Sequence, residues 1–123
     1  MLSREKYVYQ YKERTIKMIQ VGENLIINTD DDEDVSLASN SDHIVITCGL
    51  RLNSTITASS ISDDGFTYCL QRTIHTLSGI PVTPQEFNIK WFKKPDDIFI
   101  PLAVVTMLLL CDFDFSIFDT IRF

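Results

Sequence analysis

Five consecutive carboxylates, Asp30, Asp31, Asp32, Glu33 and Asp34, form the densest block of ionisable side chains in this 123-residue sequence. Clustered carboxylates can ligate a hard cation, act as an acid–base pair, or imitate phosphates toward a basic partner. Calcium ligation is the first test. Counting an EF-hand loop from Asp30 places Asp32 and Asp34 at the third and fifth positions, but the sixth is Val35 rather than Gly and the twelfth is Ser41 rather than Glu. Neighbouring side chains on an extended chain also point to opposite sides and do not converge on one ion. Zinc fares no better, because Cys48, Cys69, Cys111, His43 and His75 include no pair at ligand spacing. The sequence therefore predicts no metal and no cofactor.

Nucleophilic catalysis needs a Ser or Cys beside a His that a third group orients. Cys69 and His75 are six residues apart on one predicted helix, where their side chains do not meet. Phosphate-loop, dinucleotide, nucleophile-elbow and deaminase patterns are all absent. A carboxylate pair of the glycosidase kind leaves no spacing signature. No feature supports an enzyme. Direct nucleic-acid binding is opposed by a pI near 4.7. The one basic, aromatic stretch, Lys90 to Lys94, reads as Trp91 in the core with wet lysines, although such a stretch can stack bases.

What remains is electrostatic. The net charge of −6 is uneven: residues 1–22 carry +3, 23–64 carry −8, 65–95 carry +3 and 96–123 carry −4. A focused negative field steers a basic partner and can occupy a pocket built for phosphates. Asp42, Asp63 and Asp64 extend the candidate binding set if the fold brings them to the edge that carries Asp30 to Asp34. A small acidic domain without catalytic motifs is similar in general profile to immunity proteins that neutralise toxin nucleases and to phage-encoded inhibitors. The expected function is thus an inhibitor that occludes a basic partner such as a toxin nuclease. The alternative is a chaperone or adaptor that binds through an apolar surface or sheet edge, as a monomer or a dimer. The bland reading of the acidic run is a solubilising loop that blunts a sheet edge.

The elements that would position these groups read as an α+β domain, with an antiparallel sheet of hairpins from the N-terminal half packed by C-terminal helices. Thr15 to Thr29 holds two β-branched runs around Gly22, Glu23 and Asn24, a hairpin signal, and the acidic run follows its second strand. His43 to Ser62 reads as a second hairpin turning near Asn53 and Ser54. Tyr7, Tyr9 and Tyr11 alternate as in a further strand, although Ser3 is a possible helix cap. Phe66, Cys69, Leu70, Ile74 and Leu77 share a face at helical spacing, with Gly79 and Pro81 as stop signals. Thr83, Pro84, Gln85 and Glu86 resemble a capping box, while Phe87, Ile89 and Trp91 also alternate like a strand. Leu102 to Leu110 is apolar all round and predicts a central buried helix. The tail from Cys111 to Phe123 fits either a closing strand or a short helix.

At this length one compact domain spanning residues 1–123 is expected, with a core that needs no staple. The three cysteines are widely spaced and read as reduced thiols. The opening residues lack an apolar signal segment, so a cytoplasmic protein is expected, and the sequon at Asn53 reads as a turn. The uncharged run from Ile98 to Cys111 is shorter than the ~20 residues a membrane span needs.

Overall fold

The computed structural model describes residues 18–30 and 42–114 together with the strand Ile121–Arg122. The chain runs β1 (Met18–Val21), β2 (Asn24–Asn28), β3 (Ile44–Cys48), β4 (Ile56–Ser59), β5 (Gly65–Leu70), β6 (Ile74–His75), β7 (Pro81–Val82), β8 (Gln85–Lys90), α1 (Phe99–Leu110) and β9 (Ile121–Arg122). One mixed sheet has the order β1-β2-β3-β4-β5-β8-β9, and β6 pairs with β7 in a separate ribbon. The class is α+β. The Tyr7, Tyr9 and Tyr11 strand lies outside the described residues.

β1 and β2 form the expected hairpin, turning at Gly22 and Glu23 and pairing Met18 with Ile27 through Val21 with Asn24. The second hairpin does not form. β3 runs parallel to β2 along its whole length, from Asn24 opposite Ile44 to Asn28 opposite Cys48. Parallel neighbours need a crossover of about a dozen residues or more, and the fifteen residues from Thr29 to His43 meet that length. β4 is also parallel to β3, yet only seven residues, Gly49 to Thr55, connect them. The short link suffices because the two strands meet at a single position, Cys48 opposite Ile56. β4 starts where β3 stops, so the chain steps sideways instead of returning.

The predicted helix over Phe66 to Leu77 is instead β5 and β6. Phe66, Leu70 and Ile74 are four apart, a spacing that keeps residues on one face of a helix and of a strand alike. Tyr68 decides between them: it is fully buried beside Phe66 and Leu70, while Thr67 and Cys69 lie on the more open face. Gly79 and Pro81 punctuate the β6–β7 turn, closed by Thr76 N–H donating to Ile80 O at 2.9 Å and by Ile80 N–H donating to Thr76 Oγ1 at 3.1 Å. No helix follows Thr83 either. Gln85 opens β8, which pairs antiparallel with β5 from Gly65 opposite Lys90 to Leu70 opposite Gln85. The alternation of Phe87 and Ile89 decided the outcome there.

Gly65 is required by that pairing, since a Cβ on it would lie 2.1 Å from Ile89 O. β9 runs parallel to β8, which makes β8, α1 and β9 a strand–helix–strand crossover. The sheet is therefore mixed, and α1 is the one α-helix among the described residues.

α1 begins three residues before the predicted start. Asp97 Oδ1 accepts from Phe99 N–H at 2.9 Å, and Pro101 falls in the first turn, where its missing N–H costs nothing. At the other end Phe113 N–H donates to Leu108 O and Asp112 N–H to Leu109 O. This is the Schellman pattern, with Asp112 at φ 65° in the place usually taken by glycine. Leu77 N–H donates to Leu110 O and Ser78 Oγ donates to Asp112 Oδ1 at 2.8 Å, so the β6–β7 ribbon is fastened to the helix end. No helix of the described residues is long and apolar enough to cross a membrane.

The core lies between α1 and one sheet face, where Ile26, Ile46, Ile56, Tyr68 and Ile89 meet Phe99, Leu102, Val105 and Leu110. One polar cluster sits inside it. Thr106 Oγ1 donates to Leu102 O at 2.8 Å, so the Tyr68 hydroxyl 2.8 Å away must be the donor to Thr106. Cys48 Sγ lies 3.7 Å from the same oxygen. Burial pushes the Cys48 thiol up to about 12 and raises Tyr68 well above its ordinary value. Both stay protonated, which makes Cys48 an inert packing thiol.

Candidate interaction surface

Chain direction decides where the sequence-selected carboxylates stand. β2 ends at Asn28, and Asp30 follows it at that end of the sheet. Because β3 is parallel to β2, it starts at the opposite end, and Asp42 is exposed there. β4 continues in the same direction as β3, so its turn into β5 carries the exposed Asp63 and Asp64 to the Asp30 end. The fold thus brings Asp30, Asp63 and Asp64 to one end and leaves Asp42 at the other. Asp31, Asp32, Glu33 and Asp34 lie outside the described residues.

Asp30 has a defined local role. Its N–H donates to Asn28 Oδ1 at 2.9 Å, and its carboxylate turns back to accept the Leu50 N–H with both oxygens, at 3.0 and 3.2 Å. Gly49 permits this approach, because a Cβ there would stand only 3.0 Å from the Asp30 carboxylate carbon and one of its oxygens. The bond fastens the first acid of the run to the Gly49–Thr55 loop. That loop presents Leu50, half exposed, and Leu52, which is 96% exposed. Ser54 N–H closes the loop on Arg51 O at 3.0 Å, and Gln71 Nε2 donates to Ser54 O at 2.8 Å. Arg51 stands between the leucines, so the loop itself adds no negative charge to this end.

The Asp63–Asp64 turn is held from behind. Trp91 is buried, stacks on Phe66 with ring centroids 5.2 Å apart, donates Nε1–H to Asp63 O at 2.8 Å and its backbone N–H to Asp64 O at 3.2 Å. The Lys90–Lys94 stretch therefore divides as its alternation implied, with Trp91 inside and Lys90, Lys93, Lys94 and Phe92 exposed. Asp64 and Lys90 line one shallow cavity of about 280 Å³, so a positive group stands near this acidic pair.

Leu50 and Leu52 escaped the sequence reading. Their signal was a pair of leucines in a short loop between Gly49 and Asn53, an apolar pair where turn chemistry calls for polar residues. Cys69 and His75 lie on β5 and β6 rather than on a common helix. Cys69 is on the more open sheet face, with Glu86 Oε2 at 3.8 Å and Ser59 Oγ at 3.6 Å. Comparison with protein-family models, curated proteins and solved structures finds no match.

Proposed function

We propose that this chain is a small acidic binding protein that neutralises a basic protein partner, docking through the end of the sheet where Asp30 holds the Leu50–Leu52 loop. One observation carries the reading: the two-pronged bond from Asp30 to Leu50 N–H, which sets the root of a five-carboxylate run beside an exposed apolar anchor. Carboxylates raise the encounter rate with a positive surface, and a desolvated side chain near the centre of the contact holds the complex. A toxin nuclease is the partner class that this combination suits, since its substrate site is built to bind phosphates. Asp63 and Asp64 at the same end add to the field.

The exposure of Leu52 also favours a second reading, an adaptor that docks by apolar contact alone. Salt separates the two. The test is affinity capture from source cells, identification of the bound protein, and measurement of its association rate at rising ionic strength. The acidic reading expects a basic protein, an on-rate that falls steeply with salt, and loss of steering when Asp31, Asp32, Glu33 and Asp34 become amides. A rate indifferent to both salt and amidation, but abolished by Leu52→Asp, would establish the apolar adaptor instead.

A further inference from the structure

The stagger between β3 and β4 leaves a notch in the sheet. β4 begins only level with Cys48, whereas β3 extends back to Ile44. Two bonds fix the directions of the β3 peptide groups. Ile44 N–H donates to Glu23 O at 2.9 Å, toward β2, and Gly49 N–H donates to Ile56 O at 3.1 Å, toward β4. Peptide groups alternate along a strand, so Val45 turns its N–H toward the β4 side, at a level that β4 does not reach.

A cavity of about 230 Å³ occupies that place, and its lining includes Val45, Thr55, Arg72, Thr73, Ile74 and His75. Ile74 and Thr55 are buried and form a fixed wall, while Arg72 and His75 are exposed at the mouth. Thr55 is locked in turn by its N–H bond to Thr47 Oγ1 at 2.8 Å. Donors outnumber acceptors in the lining, to which Asn24 adds a side-chain amide. Arg72 supplies a guanidinium with donors only, Thr73 a hydroxyl, His75 an imidazole and Val45 a strand N–H. Among the described residues no carboxylate lines the cavity, although the chain carries 17 acidic residues against 11 basic ones. A small, donor-rich concavity with a permanent cation at its rim matches a compact oxyanion, which accepts several hydrogen bonds and pairs with the guanidinium fork.

We infer that the notch between β3 and β6 is a binding site for a small oxyanion, a phosphate or carboxylate group, with Arg72 as its principal partner. The inference stands apart from the acidic docking end, since it uses none of the same residues. The oxyanion can be a phosphate or a carboxylate, and the experiment distinguishes them. Isotope-labelled full-length protein is titrated with inorganic phosphate, with acetate and with chloride at matched ionic strength, and the amide resonances of Val45, Thr73 and His75 are followed. Saturable shifts confined to these positions are expected with phosphate or acetate and not with chloride; the anion that saturates at the lower concentration identifies the group. Arg72 is exposed, so Arg72→Gln should keep the native spectrum while weakening binding about tenfold or more. Arg72→Lys, which keeps the charge but not the fork, should fall between the two. Shifts that never saturate, that chloride reproduces, or that Arg72→Gln leaves unchanged in a folded spectrum would overturn the assignment.

Discussion

Replacing Thr106 by Val tests the buried cluster most directly, because valine keeps the shape of threonine and removes only its hydroxyl. Tyr68 then points a buried O–H at a methyl group. Its hydrogen bond to Thr106 is 2.8 Å long in the native protein, and an orphaned buried donor costs about 2 kcal/mol. The lost bond from Thr106 to Leu102 O adds little, since a helix carbonyl there retains its backbone partner. Tyr68→Phe removes the donor instead. Thr106 still donates to Leu102 O, so only one satisfied bond disappears, at a cost of about 1 kcal/mol.

The double variant leaves no hydroxyl unpaired and should cost about 1 kcal/mol as well, roughly 2 kcal/mol less than the sum of the single changes. Urea unfolding measures all four species, and the Thr106→Val midpoint should drop by about 1 M at the slopes usual for small domains. If Thr106→Val costs no more than Tyr68→Phe and the two add, then Tyr68 is not donating to Thr106 and the account of the core is wrong.

Two further outcomes follow from the same structure. Stability should be insensitive to Cys48 below pH 9 and should fall above it, because the thiol ionises near its ordinary value of 9.0 when unfolded but only near 12 when folded. The unfolded state therefore loses the proton first, and the loss from this group approaches about 1.4 kcal/mol per pH unit; Tyr68, also raised, steepens it at higher pH, and Cys48→Ala should remove the earlier part of the decline in chemical denaturation at a series of pH values. Gly65→Ala should destabilise by about 3 kcal/mol or more, since its Cβ would meet Ile89 O at 2.1 Å and the obstacle is backbone that cannot rotate away; a thermal melt indistinguishable from wild type would show that β5 and β8 can part at that end.

How much of this was legible in the sequence depended on range. The β1–β2 hairpin and the apolar helix were readable because each is specified by neighbours: a Gly-containing turn between β-branched runs, and an uncharged stretch closed by acids. β5 reads as a helix because a spacing of four is shared by both periodicities, and Tyr68 is the residue that separates them. The parallel pairings of β3 with β2 and of β9 with β8 are long-range and leave no local mark. Without that mark a hairpin reading places Asp42 at the Asp30 end, whereas the crossover carries it to the other. Leu52 leaves no mark in the periodicity of any element, because it sits in a loop between two strands.

The single meeting point of β3 and β4 has a consequence for how the molecule breathes. Across most of the sheet each strand is laced to its neighbour over four to six residues, but between β3 and β4 the lacing is one position, Cys48 with Ile56. α1 packs on β1 and β3 from one half and on β4 from the other, so it spans the seam like a splint. Thr106 of α1, Cys48 of β3 and Tyr68 of β5 converge where the three bodies touch. Amide exchange should accordingly resolve two cooperative units, β1 to β3 and β4 to β8, that protect their protons independently once the splint is loosened.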